Sequence, residues 1–218
     1  MLATLLLTVI TGTAQSPVKK LNVAIFLYPE AELLDFAGPQ EVFTKTDVGG
    51  ENPFNVYTVA VDTSSFDIQS LIIKPQYSIF NCPKPNIIIL SGGDSRRVQN
   101  DSTVIKWVKE ISANAEITMS VCSGASLLLK AGLLEGKDAT THHKAIDRYE
   151  ARYPATKFHR KTRFVDNGNI ITTAGVSAGI DGALHVVEKL YGRDVAAATA
   201  DFMEYDKWQP GQGLVIDK

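Results

Sequence analysis

The chain predicts an α/β fold in which a mostly parallel sheet carries helices on both faces. Three observations lead there. The runs 21–28, 54–61, 86–90 and 117–121 are nearly unbroken in apolar, β-branched or aromatic residues, as strands buried on both faces must be. Segments with helical periodicity separate most of these runs, which is the alternation of an α/β domain. Polar turns close the runs, and the carboxyl ends of such strands are where an open α/β sheet gathers its ligand-binding groups.

In chain order, residues 1–10 form an apolar run of the length of a signal-peptide core, too short to span a bilayer. Small residues follow over 11–16 and offer cleavage after Ala14 or Gln15, although no Lys or Arg precedes the run. Residues 1–18 are therefore expected to be a leader and 19–218 a single domain. A working signal implies export to the periplasm or beyond, and its failure a cytoplasmic protein. After the strand at 21–28, a turn at 29–32 leads to a helix over 33–45 that contains Gly38-Pro39 early, where proline is tolerated. The loop 49–53 precedes the strand at 54–61. Residues 62–85, with Pro75, Pro83 and Pro85, read as a small excursion or hairpin.

The strand at 86–90 ends in Ser91-Gly92-Gly93-Asp94, and a helix over 102–113 follows, capped by Asp101 or Ser102. The strand ending at Val121 turns at Cys122 into a helix over 126–131 that Gly132 closes. A short strand is expected at 137–141 and a polar helix at 143–153. Residues 158–164 and 169–173 read as a hairpin around Asp166-Asn167-Gly168. Helices over 175–190 and 195–205 and a loose tail complete the chain.

Composition narrows the function. The 218 residues, 44% hydrophobic and 21% charged, suffice for one sizeable core, and no repeat or linker divides them. A formal net charge of −2 gives no electrostatic footprint for nucleic acid, and nothing beyond the leader suggests a stable membrane span. Two cysteines and four histidines without H-E-x-x-H spacing argue against a metal site, and no cofactor is implied. A Cys82–Cys122 disulfide is left open by sequence, since it depends on Cα separation.

The chemistry centres on Cys122. A nucleophile on a strand-to-helix turn is raised above the sheet edge, and the following helix N-terminus favours a thiolate and can hold an oxyanion. The alternative is a buried structural thiol. Topology brings three other points to the same edge: Asp35 after the first strand, Gly92-Gly93 after the third, and His142 after the Thr140-Thr141 strand end. Asp35 also fits a helix cap, Gly92-Gly93 a tight turn, Ser123 a cap and His142 a structural histidine. The agreement of the elbow with a carboxylate loop favours a functional Cys122.

These residues carry a resemblance. Asn86-Ile-Ile-Ile-Leu-Ser-Gly-Gly-Asp94, Val121-Cys-Ser-Gly-Ala125, Ala131-Gly-Leu-Leu-Glu-Gly-Lys137 with Ala139-Thr-Thr-His142, and Thr173-Ala-Gly-Val-Ser-Ala-Gly-Ile-Asp181 together resemble the DJ-1/PfpI superfamily, over nearly all of residues 21–208. Leu33-Leu34-Asp35-Phe-Ala-Gly38-Pro39 with Glu41-Val-Phe43 is similar to its isocyanide hydratase branch, a pattern shared by the ligand-sensing domains of some AraC-type regulators. The resemblance implies a flavodoxin-like three-layer sandwich (class I glutamine amidotransferase-like), a homodimer, and a small electrophilic substrate. It implies that Cys122 attacks an isocyanide carbon to give an N-substituted formamide. Asp35 would act as acid/base, Ser123 would stand beside the reacting atom, and Gly92, Gly93 and His142 would line the substrate or oxyanion site.

Departures from the family bear on this. The protease-like members carry His directly after the nucleophile, where this chain has Ser123, so that dyad is absent. The hydratase branch commonly has Trp where this chain has His143, which affects the pocket wall. Two other classes stay open: a glyoxalase/deglycase-like or redox-sensing stress protein, and a non-catalytic small-molecule-binding module. The short tail is expected to carry no DNA reader.

Overall fold

The computed structural model describes residues 19–216, so the expected leader lies outside the described residues. The elements run β1 (Leu21–Phe26), α1 (Leu33–Lys45), β2 (Phe54–Ala60), β3 (Phe66–Ile68), β4 (Leu71–Ile73), β5 (Tyr77–Ser78), β6 (Ile87–Leu90), α2 (Ser102–Asn114), β7 (Ile117–Ser120) and α3 (Ala125–Lys130). They continue with β8 (Asp138–Ala139), α4 (Ile146–Arg152), β9 (Lys157–Phe158), β10 (Phe164–Asp166), β11 (Ile170–Thr173), α5 (Ala178–Tyr191), α6 (Arg193–Phe202) and β12 (Leu214–Val215).

An eight-stranded sheet has the order β12-β10-β11-β7-β6-β1-β2-β5. Every neighbouring pair is parallel except β10–β11. All residues of β6, β7 and β11 are buried, which explains their continuous apolar or small-polar text. Helices α1, α5 and α6 pack on one another, and α2 packs on α3, with the sheet between the two groups in a flavodoxin-like sandwich. No helix among the described residues is long and apolar enough to cross a membrane.

The departures from expectation have local causes. The hairpin's first arm is only Phe164–Asp166, paired with Ile171–Thr173. Phe158 belongs instead to β9, which pairs with β8 in a separate two-stranded sheet. The intervening His-Arg-Lys-Thr-Arg run is too charged for a central strand, and Lys161 turns through φ 57°. The tail is not wholly loose, because β12 pairs in parallel with β10 and Ile216 N–H donates to the Asp166 carbonyl at 2.9 Å. Asp101, not Ser102, caps α2, accepting from Thr103 N–H at 2.8 Å and from Val104 N–H at 3.4 Å. The helix expected from residue 175 starts at Ala178, because Val176 adopts φ 53°.

Four adjacent parallel strands, β11, β7, β6 and β1, thus end on one edge of the sheet. The loops after β1 and β6 are stitched together there. Glu32 N–H donates to the Gly92 carbonyl at 3.0 Å, and Asp94 N–H to the Glu30 carbonyl at 3.0 Å. The turn after β7 is pressed onto β6 just as closely. A Cβ on Gly124 would collide with the Leu90 carbonyl oxygen and sit 3.0 Å from the Ser91 oxygen. Since both obstacles are backbone, Gly124→Ala should destabilise the fold by roughly 1–3 kcal/mol. Urea unfolding checks this, and an unchanged midpoint would show that the turn can lift away from β6.

Candidate active site

Cys122 sits at the end of β7 with φ 56°, a left-handed conformation that strains a residue with a side chain. Its backbone is fixed from both sides. The Cys122 N–H donates to the Ala174 carbonyl at 3.1 Å, and Thr141 Oγ1 donates to the Cys122 carbonyl at 2.7 Å. The thiol is nearly enclosed, the residue being 7% exposed. A short 3-10 turn over Cys122–Gly124 leads into α3, so the helix behind the elbow is only 6 residues long.

Asp35 lies in the first turn of α1 and is fully buried. It is not the cap, a position held by Glu32. Its Oδ2 accepts the Gly92 N–H at 3.0 Å, while Oδ1 is buried with no hydrogen-bond partner. Gly92 is the spacer that lets carboxyl and thiol meet. A Cβ there would run into Asp35 Oδ2 and stand 2.8 Å from both Cys122 Cβ and Ser123 N. The Cys122 thiol interacts with the Asp35 carboxyl, but with Oδ1 unpartnered this contact falls short of a well-formed hydrogen bond.

Burial pushes the Asp35 carboxyl up to about 7, and the charge of Glu32 adds to it, while the Gly92 amide, the thiol and the Val176 amide oppose the rise. Burial, and then the Asp35 charge, push the Cys122 thiol up to about 12 against the Ser123 and Val176 amides. A helix N-terminus behind the elbow is a factor that favours a thiolate. The structure holds a thiol at neutral pH, because desolvation and a neighbouring carboxylate outweigh a short helix. The pair therefore titrates as a unit, with the carboxyl losing its proton first.

The other expected residues divide. Ser123 is no cap: its Oγ donates to the Gly93 carbonyl at 2.7 Å and accepts the Gly93 N–H at 2.9 Å. Both glycine amides are thus engaged, Gly92 with Asp35 and Gly93 with Ser123, and the amides directed at sulfur belong to Ser123 and Val176. His142 lines the same cavity of about 310 Å³ as Cys122, Ser123 and Gly93. Its Nδ1 accepts the Lys144 N–H at 3.3 Å and its ring lies 4.4 Å from that of His143. Burial, then the charges of His143 and Lys144, hold the His142 imidazole below its usual range. Cys82 is a separate free thiol, and Cys122 is unbridged. No group of three or more His, Cys, Asp and Glu side chains among the described residues is arranged to hold a metal ion.

Two contributors escaped sequence reading. Val176, at φ 53°, turns its amide toward both the thiol and the carboxyl, and a β-branched residue gives no hint of a left-handed conformation. Thr141 holds the Cys122 carbonyl; only its place at a strand end on the ligand edge could have flagged it.

The raised carboxyl has a thermodynamic signature. Between the ordinary Asp value of 3.8 and about 7, folded Asp35 retains a proton that the unfolded chain releases. Stability must then fall as pH rises through that window, by at most roughly 4 kcal/mol for a shift of this size. Asp35→Asn should remove this component, so the unfolding free energy of the wild type minus that of the variant should decline across the window in urea titrations. A flat difference would refute a raised carboxyl.

Comparison with known proteins places this fold among relatives. Residues 21–189 match the DJ-1/PfpI family. The isonitrile hydratase of Pseudomonas putida is 33% identical over 192 residues, 85% of this chain and 78% of that protein. The HTH-type transcriptional regulator GbdR of Pseudomonas aeruginosa is 22% identical over 188 residues, and the matched region spans about half (51%) of that regulator. A ThiJ/PfpI family protein from Pseudomonas syringae superimposes with a TM-score of 0.79 at 28% identity, covering 94% of this chain and 84% of its own. With the family's model matched along most of the sequence, this chain belongs to the DJ-1/PfpI family.

Proposed function

We propose that the chain hydrates isocyanides to N-substituted formamides, with Cys122 as nucleophile and Asp35 as acid/base. The observation that carries this reading is the fully buried Asp35 carboxyl beside the Cys122 thiol, with Oδ1 unpartnered and its pKa raised to about 7. Such a group can both take and return a proton near neutrality, where general acid–base catalysis is most effective. The likeness to the isonitrile hydratase of Pseudomonas putida supports the substrate class.

In the proposed reaction, the sulfur attacks the terminal carbon of R–N≡C as Asp35 takes the thiol proton. Returning that proton to the same carbon gives a thioimidate, R–N=CH–S–Cys122. Water, its proton drawn by Asp35, then adds to this carbon, and the nitrogen is protonated. Collapse of the tetrahedral adduct expels the sulfur, which regains its proton, and releases R–NH–CHO. The net change is one water added to one isocyanide. A thiol at rest suits this sequence, since the base that activates it adjoins it and no free thiolate waits for oxidants.

The thiol's elevation to about 12 also favours a second reading, a module that binds a small molecule without turnover. Formamide production decides between them. Cys122→Ala should lower kcat by at least about a thousandfold and Asp35→Asn by about a hundredfold or more. In the wild type kcat/KM should rise as pH increases through about 7, where Asp35 becomes the base. Turnover is to be followed by mass spectrometry with aryl and alkyl isocyanides, and glyoxal consumption measured alongside would reveal a stress-protein chemistry instead. If the wild type forms no formamide at high enzyme concentration while Cys122→Ala retains ligand affinity, the binding module is correct.

A further inference from the structure

The mouth of the Cys122 cavity carries charge that the reaction at sulfur does not use. Lys144 and Arg148 line this cavity, and both are exposed. Arg148 also borders an adjoining cavity of about 430 Å³ whose wall shares Gly93 and Ser123. Its guanidinium lies 5.1 Å from the centre of the Tyr149 ring, a cation–π contact that holds it over a buried aromatic.

The acids that could neutralise these cations are committed elsewhere. On α4, Asp147 and Glu150 both bind Arg160, at 2.8 and 2.6 Å. Asp94, on the far side of the mouth, is clasped by Arg96, with Nε to Oδ1 at 2.7 Å. Glu32 is the one carboxylate on the cavity wall, and its Oε1 accepts a hydrogen bond from Gln69 at 3.1 Å. Lys144 and Arg148 make no ion pair among the described residues, the ion pairs nearby being those just named. The His142 imidazole on the same wall is lowered first by burial and then by the charges of His143 and Lys144, with Glu32 opposing them.

We propose that the substrate presented to Cys122 carries a carboxylate, seated on Arg148 and Lys144 while its electrophilic carbon faces the thiol. This deepens the reading of Cys122 as the reacting group and rests on it. A guanidinium fixed against an aromatic ring, with its fork of N–H donors free, suits planar carboxylate recognition. Lys144 adds a flexible second charge from the turn that precedes α4.

The test uses two electrophiles of nearly equal size that differ in charge, iodoacetate and iodoacetamide. Each forms a carbon–sulfur bond at the thiol with loss of iodide, and the rate is read at the Cys122 peptide by mass spectrometry. Taking the iodoacetate-to-iodoacetamide ratio cancels changes in thiol reactivity. That ratio should fall about tenfold in the Arg148→Met, Lys144→Met double variant and fall with added salt in the wild type. Equal ratios in wild type and variant would overturn the proposal. Should the enclosed thiol react with neither reagent, calorimetry with phenylacetate against phenylacetamide gives a readout that needs no reaction. Carboxylate-selective binding weakened about tenfold in the double variant sustains the proposal, and equal or absent binding of the two ends it. A wild type that selects the carboxylate yet forms no formamide keeps the anion seat and loses the hydratase reading.

Discussion

The hydrogen bond from the Gly92 amide to Asp35, across a residue with no side chain, is the contact on which the site depends. It brings a carboxyl from one strand–helix unit against a thiol from another, inside a region from which water is largely excluded. An isolated carboxylate could not stay buried there without protonating or finding donors. Here it does some of each. The single amide is too little to keep the charge at its ordinary pKa, and the residual cost appears as a group poised near neutrality. The same desolvation that raises Asp35 raises the thiol, so burial keeps the proton on sulfur and leaves the carboxyl the first of the two to lose its own.

Holding this arrangement requires strain that the fold supplies from its core. Cys122 and Val176 both stand in left-handed conformations that cost on the order of 1–3 kcal/mol each for residues with side chains. They stay there because β6, β7 and β11 are buried throughout, and because Thr141 and Ala174 clamp the Cys122 backbone. The amide groups that strain exposes, those of Ser123 and Val176, are the ones that reach sulfur. The anion seat we propose is built differently, from exposed cations of one turn and one short helix, Lys144 and Arg148, which can change without disturbing the packed edge.

Much of this was legible in the residues. The four central strands announce themselves because burial on both faces leaves only apolar and β-branched text, and the Asp35, Gly92-Gly93 and Cys122 points follow from where those strands stop. What sequence could not give was conformation and protonation. Nothing in Val176 signals a left-handed backbone. The split of residues 158–164 between two sheets depends on the left-handed turn at Lys161 within a charged run, a backbone conformation that its residues do not announce. The state of the thiol lay beyond the sequence, because helix N-terminal character can be inferred from order along the chain, whereas the enclosure of Asp35 beside it emerges only when the loops after β1 and β6 close.

The sheet's outermost strands have a consequence for how copies of such a chain can meet. At each end of the eight-stranded sheet lies a strand of only two residues, Leu214–Val215 on one side and Tyr77–Ser78 on the other. An edge this short offers too few free backbone groups to template another strand. Extension of this sheet by a further strand is thereby disfavoured at both of its ends. The modest strand made by the tail acts in this sense as a stopper, ending the hydrogen-bonded ladder before it can recruit a neighbour.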